Sequence, residues 1–245
     1  MARRYHHPVI ASTQEEAIRL ARAGAADGTR VVADRQENGR GRLDRTWASP
    51  PGGLYVSIVV RAPPSAGLLP IAVGARLAGV LEARFGARTR VKWPNDLLAV
   101  TPGRPPRKLA GILIDRVDSP TLGDACVVGV GLNVAAAPSA FPEPLRSRVV
   151  RLADLAGRPV SPPEVEPLVA DAVASAAASI SDADGRAQLL DECRALLYGV
   201  DRPARIDGAP AGVIREIGAD GALLLERDGE RTSVRSGELT FEESA

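Results

Sequence analysis

The sequence predicts a mixed α/β chain followed by a small antiparallel β-barrel, and three observations predict it. Helix-period runs alternate with β-type runs from Ser12 to Asn133. An Ala-rich stretch, 161–198, reads as two helices broken near 181–185. Beyond Gly199, short β-type runs at 204–206, 212–217, 222–226 and 231–235 are separated by Asp207-Gly208, Asp220-Gly221 and Asp228-Gly229. Asp-Gly pairs between strands of that length are hairpin turns, and their regular recurrence indicates a small barrel. The expected division is 1–198 and 199–245. The second segment is below the size that folds well alone, so it should pack on the first.

The elements follow in order. Ser12-Thr13-Gln14-Glu15 is a capping box, and Ala17, Ile18, Leu20 and Ala21 continue it on one helical face. Gly24 and Gly28 stop that helix. Val31-Val32-Ala33 reads as a short strand. Leu54, Val56, Ile58 and Val60 alternate with Tyr55, Ser57 and Arg61, a strand signature. The run 68–85 is apolar at helical spacing, with Arg76, Glu82 and Arg84 left for water. Strands are expected at 90–93 with 96–100, at 108–115 and at 125–131, with 101–107 as a hairpin loop.

Bulk properties bound the function. Of the 245 residues 45% are hydrophobic but only 3% aromatic, so the core must be built from Ala, Val, Leu and Ile. A net charge of +1 argues against general affinity for nucleic acid or membranes. Basic charge is instead local, at 40–45 and 104–108, as an anion site in a neutral protein would be. Cys126 and Cys193 form neither a disulfide framework nor a metal set, and Cys126 sits in an apolar run. His6 and His7 lack partners for a metal. No apolar stretch long enough to span a membrane and no leader pattern are read from the sequence, so the cytoplasm is the expected location.

The most informative segment is DRQENGRGRLDRTWASPPGGLYVS, from Asp34 to Ser57. Four arginines (Arg35, Arg40, Arg42, Arg45) share it with Gly39, Gly41, Gly52 and Gly53, which suits a loop that encloses an anionic ligand. Arg-Gly runs also occur in solvated loops and in RNA-binding segments. Lys92-Trp93-Pro94-Asn95-Asp96 breaks a β run with a proline, either as an ordinary turn or to aim polar groups at a cleft. Lys108-Leu109-Ala110-Gly111-Ile112-Leu113 places a cation at the mouth of an apolar strand, as a surface charge or as a catalyst. Gly111 in mid-strand suggests close approach of a ligand or another backbone. Gly129-Val130-Gly131-Leu132-Asn133, two glycines closing a buried strand with an amide as its first polar group, reads as a tight β turn. Ser12, Thr13 and Gln14 cap a helix or hold a polar ligand head.

In this order and at this spacing, these segments closely resemble the biotin protein ligases from about Ser12 to Asn133, and the β-rich tail resembles their SH3-like C-terminal domain. The resemblance implies a catalytic sheet domain related to class II aminoacyl-tRNA synthetases. It also implies formation of biotinyl-5′-AMP from biotin and ATP, with Mg²⁺ accompanying the nucleotide. Biotin would then pass to a lysine of a biotin carboxyl carrier protein. By resemblance, Lys108, Arg40 and Asp96 are catalytic. Lys108 lies between the biotin carboxylate and the α-phosphate, and Asp96 orients the attacking lysine. Ser12, Thr13, Gln14 and Gln36 read the ureido ring, and Gly39, Arg40, Gly41, Arg42, Lys108 and Gly111 complete the biotin site. Arg42, Arg45, Trp47, Lys92, Asn95 and Asn133 hold ATP, with Trp47 stacked on adenine. Two positions depart from the family pattern: Gln14 replaces its usual Asn, and Leu43-Asp44-Arg45 replaces a second Gly-Arg. The few residues before Ser12 lead us to expect a short form with no N-terminal DNA-binding domain and no operator binding, acting as a monomer or weak homodimer. The competing expectations are a lipoate ligase or octanoyl transferase of the same fold and an RNA-binding protein using the Arg-Gly loop.

Overall fold

A computed structural model describes residues 1–241. In chain order the elements are β1 (Arg4–Ile10), α1 (Thr13–Arg22), β2 (Arg30–Gln36), β3 (Leu54–Arg61), α2 (Leu69–Phe85), β4 (Thr89–Lys92), β5 (Asp96–Ala99), β6 (Arg107–Ser119), β7 (Gly123–Leu132), α3 (Glu143–Arg146), α4 (Leu152–Ala156), α5 (Pro162–Ser181) and α6 (Ala183–Ala195). Then come β8 (Pro203–Ile206), β9 (Ala209–Ile217), β10 (Leu223–Arg227), β11 (Glu230–Val234) and β12 (Leu239–Phe241).

The first seven strands form one sheet in the order β1-β2-β3-β7-β6-β5-β4, antiparallel throughout except for the parallel β1–β2 pair. Helix α1 covers one face through Ala17 and Ala21, which meet Val31, Val59 and Val127. Helices α2, α5 and α6 cover the other, over Val56, Ile58, Val128 and Val130. Central β3 is therefore buried on both faces from Leu54 to Val60, which is why it carries almost no polar residue. The serine that interrupts it, Ser57, faces the functional site.

Strand β1 escaped the sequence reading because Arg4, His6 and His7 make its pattern polar and its burial alternates at an edge. It is fastened by charge. Arg4 and Arg30, register partners in the parallel ladder, both donate to the buried Glu166 carboxylate of α5, at 2.8 and 2.9 Å from Nε. The hydrogen bond from Arg4 outweighs burial and holds the Glu166 pKa below its ordinary value. A second correction concerns the apolar stretch Ala66–Phe85, which is long and apolar enough in composition to cross a bilayer. Packing explains its composition here, because α2 lies between the sheet and α5 with Ile71, Val73, Leu77 and Leu81 all buried.

The last five strands form a second antiparallel sheet ordered β11-β10-β9-β8-β12. The closure expected of a barrel is not made among the described residues: β11 and β12 are opposite edges of an open order. Residues 242–245 of the expected C-terminal segment lie outside the described residues. Strand β12, with three residues, was not read from the sequence. The two sheets are tied together. Val91 N donates to Leu196 O and Tyr198 N to Val91 O, so the chain leaving α6 runs along β4 before entering β8. The indole of Trp93, 1% exposed, donates from Nε1 to Gly221 O at 3.1 Å. That contact accounts for the tryptophan in the Lys92–Asp96 segment: it anchors the second sheet.

Candidate active site

Glycine makes the floor of the site. On the face of the large sheet that carries α1, β3 presents Tyr55 and Ser57, β7 presents Gly131 and Gly129, and β6 presents Gly111, Leu113 and Asp115. Gly111 and Gly131 are direct cross-strand partners. Missing Cβ atoms at three neighbouring positions leave a trough that other side chains enter. A Cβ at Gly111 would lie 2.7 Å from Trp47 Cζ3, one at Gly131 would lie 2.5 Å from Trp47 Nε1, and one at Gly129 would run into the Gln14 amide. Above this floor is a cavity of about 730 Å³, a size typical of small-molecule sites.

One end is lined by hydroxyls and amides. Thr13 and Gln14 are buried in the first turn of α1, and Ser12 caps that helix by accepting from Glu15 N. Gln36 Oε1 accepts from Thr13 N at 2.8 Å and from Thr13 Oγ1 at 3.0 Å, while Gln36 Nε2 donates to Ser49 Oγ. Thr13 Oγ1 lies 2.9 Å from Ser57 Oγ, which donates to Gln14 Oε1 at 2.9 Å. Ser57 was missed from sequence because a serine within an alternating strand reads as a solvent-facing residue.

The other end is cationic. The loop after β2 folds into a tight hairpin in which Arg40 pairs with Thr46 and Gly41 N donates to Arg45 O at 2.7 Å. Its tip is Leu43-Asp44, both left-handed with φ of 54° and 56°. Such a turn favours glycine or asparagine, so the departure from the expected Gly carries local strain. Gly39 brings the loop against the Trp47 carbonyl and Ser49, where a side chain would not fit. Arg45 forms a forked ion pair with Glu238, just before β12, and Arg42 reaches Gly237 O at 3.4 Å. Burial lowers the Arg42 pKa, while the Glu238 carboxyl is held down by its hydrogen bond to Arg45.

Lys108 stands between these ends. Its ammonium lies 2.7 Å from Asp96 and 5.0 Å from the centre of the Trp47 ring. Lys92 is the more enclosed lysine: burial lowers its pKa, opposed by Asp96 and reinforced by Lys108. Asn95 does structural work, since its Nδ2 donates to Ile112 O and its carbonyl receives Ile112 N. Asn133 donates from Nδ2 to Lys108 O, which leaves its buried Oδ1 without a partner among the described residues, as is the buried Trp47 Nε1. Two unsatisfied polar atoms in one cavity mark where a ligand with both donors and acceptors fits. Ala136, Phe141 and Val149 form a separate small apolar cluster near this end, packed on Ala48 and Leu145. Tyr198, Arg202 and Phe241 close the far wall from the second sheet side.

The structure thus brings Thr13, Gln14, Gln36, Arg40, Gly41, Arg42, Arg45, Trp47, Lys92, Asn95, Asp96, Lys108, Gly111 and Asn133 to one cavity. Ser12 and Gly39 support it from behind. Asp115 and Glu238 were not anticipated, because single acidic residues in strand-rich segments carry no sequence signal of their own. From the geometry, a Gly131→Ala variant is expected to displace the Trp47 indole and lower turnover about tenfold with little loss of stability, checked by steady-state kinetics beside thermal denaturation.

The chain is similar to known proteins along most of its length. Residues 7–133 match the Biotin/lipoate A/B protein ligase family. The chain is 35% identical over 160 residues to the bifunctional ligase/repressor BirA of Bacillus subtilis, covering 63% of this chain and 47% of that protein. It therefore spans about half the length of that relative. It is 33% identical over 241 residues to the biotin--[acetyl-CoA-carboxylase] ligase of Paracoccus denitrificans, covering 94% of this chain and 97% of that one. The biotin protein ligase of Aquifex aeolicus, solved with biotin and ATP, superposes with a TM-score of 0.83 at 24% identity over the full length of both chains, a likeness of fold.

Proposed function

This chain belongs to the biotin/lipoate A/B protein ligase family, and on that premise we propose that it is a biotin–[biotin carboxyl carrier protein] ligase. It joins biotin to ATP as biotinyl-5′-AMP with release of pyrophosphate, then transfers the biotinyl group to a carrier lysine with release of AMP. The observation that carries this reading is that Arg42, Lys92 and Lys108 line one cavity with the hydroxyls and amides around Thr13 and Gln14, where Arg40 reaches Asp115 beside the Gln14 amide.

Each step follows from charge. A carboxylate attacking the α-phosphate brings two anions together, and fixed cations in a partly enclosed site lower that barrier most. Lys108 sits where both would meet. Arg40 and Arg42 supply guanidinium forks suited to phosphate oxygens. Thr13, Ser57, Gln36 and Gln14 supply donors and acceptors for a cyclic urea. Trp47 offers a flat face to adenine, and the unpaired Asn133 Oδ1 accepts from its amino group. Asp96 holds Lys108 in the free protein. Once Lys108 turns to the anions, the Asp96 carboxylate is released to receive the carrier lysine. Magnesium enters with ATP as part of the substrate.

The same reading takes residues 1–198 as the catalytic domain, related to class II aminoacyl-tRNA synthetases, and 199–245 as an SH3-like barrel. It places the reaction in the cytoplasm, carried out by a monomer or weak homodimer. A net charge of +1 supports a protein without DNA or membrane partners. The test is ATP–pyrophosphate exchange with biotin, with lipoate and with neither. Exchange that depends on biotin is expected. Exchange driven equally by lipoate, or none with either, would overturn the assignment.

A further inference from the structure

A hydrogen-bonded chain links the ring-reading residues to Arg40 through a residue given no role above, Asp115. Gln14 Nε2 donates to Asp115 Oδ2 and to Val127 O, both at 3.0 Å. The same Asp115 oxygen accepts from Arg40 Nη1 at 3.4 Å. At the far side, Gln14 Oε1 receives Ser57 Oγ, which lies 2.9 Å from Thr13 Oγ1. Resting on the function proposed above, we infer that Asp115 is a positioning residue that makes the placement of Arg40 depend on occupancy of the ring-reading end.

The polarity of the chain supports this. A carboxylate and a backbone carbonyl can only accept, so they force the Gln14 amide to turn its NH₂ toward β6 and β7 and its oxygen toward Ser57. The Ser57 proton is thereby committed to Gln14, so the single Thr13 hydroxyl proton is shared between Ser57 Oγ at 2.9 Å and Gln36 Oε1 at 3.0 Å. Asp115 and Val127 O together set which atoms of the Gln14 amide donate and which accept, and Asp115 is the one of the two that also meets Arg40. The partial exposure of the Arg40 pair, 37% and 29% for the two side chains, makes it weak alone and easily remade. A ligand that changes the Thr13–Ser57–Gln14 bonds changes what Asp115 offers Arg40. Gly129 permits the arrangement, because a side chain there would collide with the Gln14 oxygen.

The experiment measures trypsin cleavage within residues 40–45 of the full chain, with and without saturating biotin, beside calorimetric biotin affinity and thermal denaturation. Biotin is expected to slow cleavage of the wild type about fivefold. Asp115→Asn can keep one carbonyl oxygen in place for both Gln14 and Arg40 but removes the negative charge that draws the Arg40 guanidinium. It is expected to bind biotin within about threefold of wild type while protection falls below about twofold. Asp115→Ala is expected to lose both, with affinity about tenfold lower and no protection at saturation. Asp115→Glu restores protection. A structural role alone would raise cleavage equally with and without biotin and leave the ratio unchanged, which overturns the inference, as does wild-type protection in both Asp115→Asn and Asp115→Ala. Wild-type protein that binds no biotin would instead remove the proposed function itself, and the two failures are therefore distinct.

Discussion

Lys108→Ala lowers biotin-dependent ATP–pyrophosphate exchange by about a thousandfold, the scale of losing a main electrostatic contributor, while stability changes by roughly 1 kcal/mol or less. Two effects combine. The ammonium that neutralises the approaching carboxylate and α-phosphate is gone. Its partner Asp96, 2.7 Å away in the free protein, is left as an uncompensated negative charge in the same cavity. The fold should survive because the Lys108 side chain is 33% exposed and the backbone bonds at this position, to Arg148 and Val150, do not involve the side chain. Exchange assays alongside circular dichroism check this. Near-normal exchange by the variant would mean that the charge is supplied elsewhere, with Lys92 the next candidate.

Trp93→Ala destabilises the protein by about 3–5 kcal/mol, the usual range for deleting a large buried aromatic side chain. This is one of the largest fully buried side chains in the molecule, and it carries the bond to Gly221 O that joins the two sheets. Glycine at 221 is demanded there by a φ of 84° and by the closeness of Gly67. The cavity left by the indole is therefore bounded by a backbone with little freedom to collapse. Trp93→Phe keeps most of the volume and leaves Gly221 O without its donor, at a cost of about 1–3 kcal/mol. Urea unfolding of the three proteins measures both values. A loss below about 1 kcal/mol for the alanine variant would show that the sheets do not rely on this contact.

Much of this was legible from the residues. Helix α1, strand β3, and the break between α5 and α6 follow from caps, alternation and composition, and the structure places them within a few residues of the expected bounds. The cationic and glycine positions were legible because those residue types are costly or unusual in strands. What stayed hidden depended on distance in sequence. β1 reads as polar until Glu166, far along the chain, is seen to receive Arg4 and Arg30. The Trp93 anchor was hidden, since nothing near it in sequence reveals Gly221. Asp115 and Glu238 acquire meaning only from the arginines that meet them.

The far wall of the cavity, made by Tyr198, Arg202, Glu238, Leu239 and Phe241, has a thermodynamic consequence. Whatever occupies the space is held by both halves of the molecule, so its binding energy is shared with the docking of the tail. Ligand saturation then strengthens the whole assembly by mass action. A shortened protein lacking those residues would show its defect first as poor retention of small molecules, before any fault in bond making became visible.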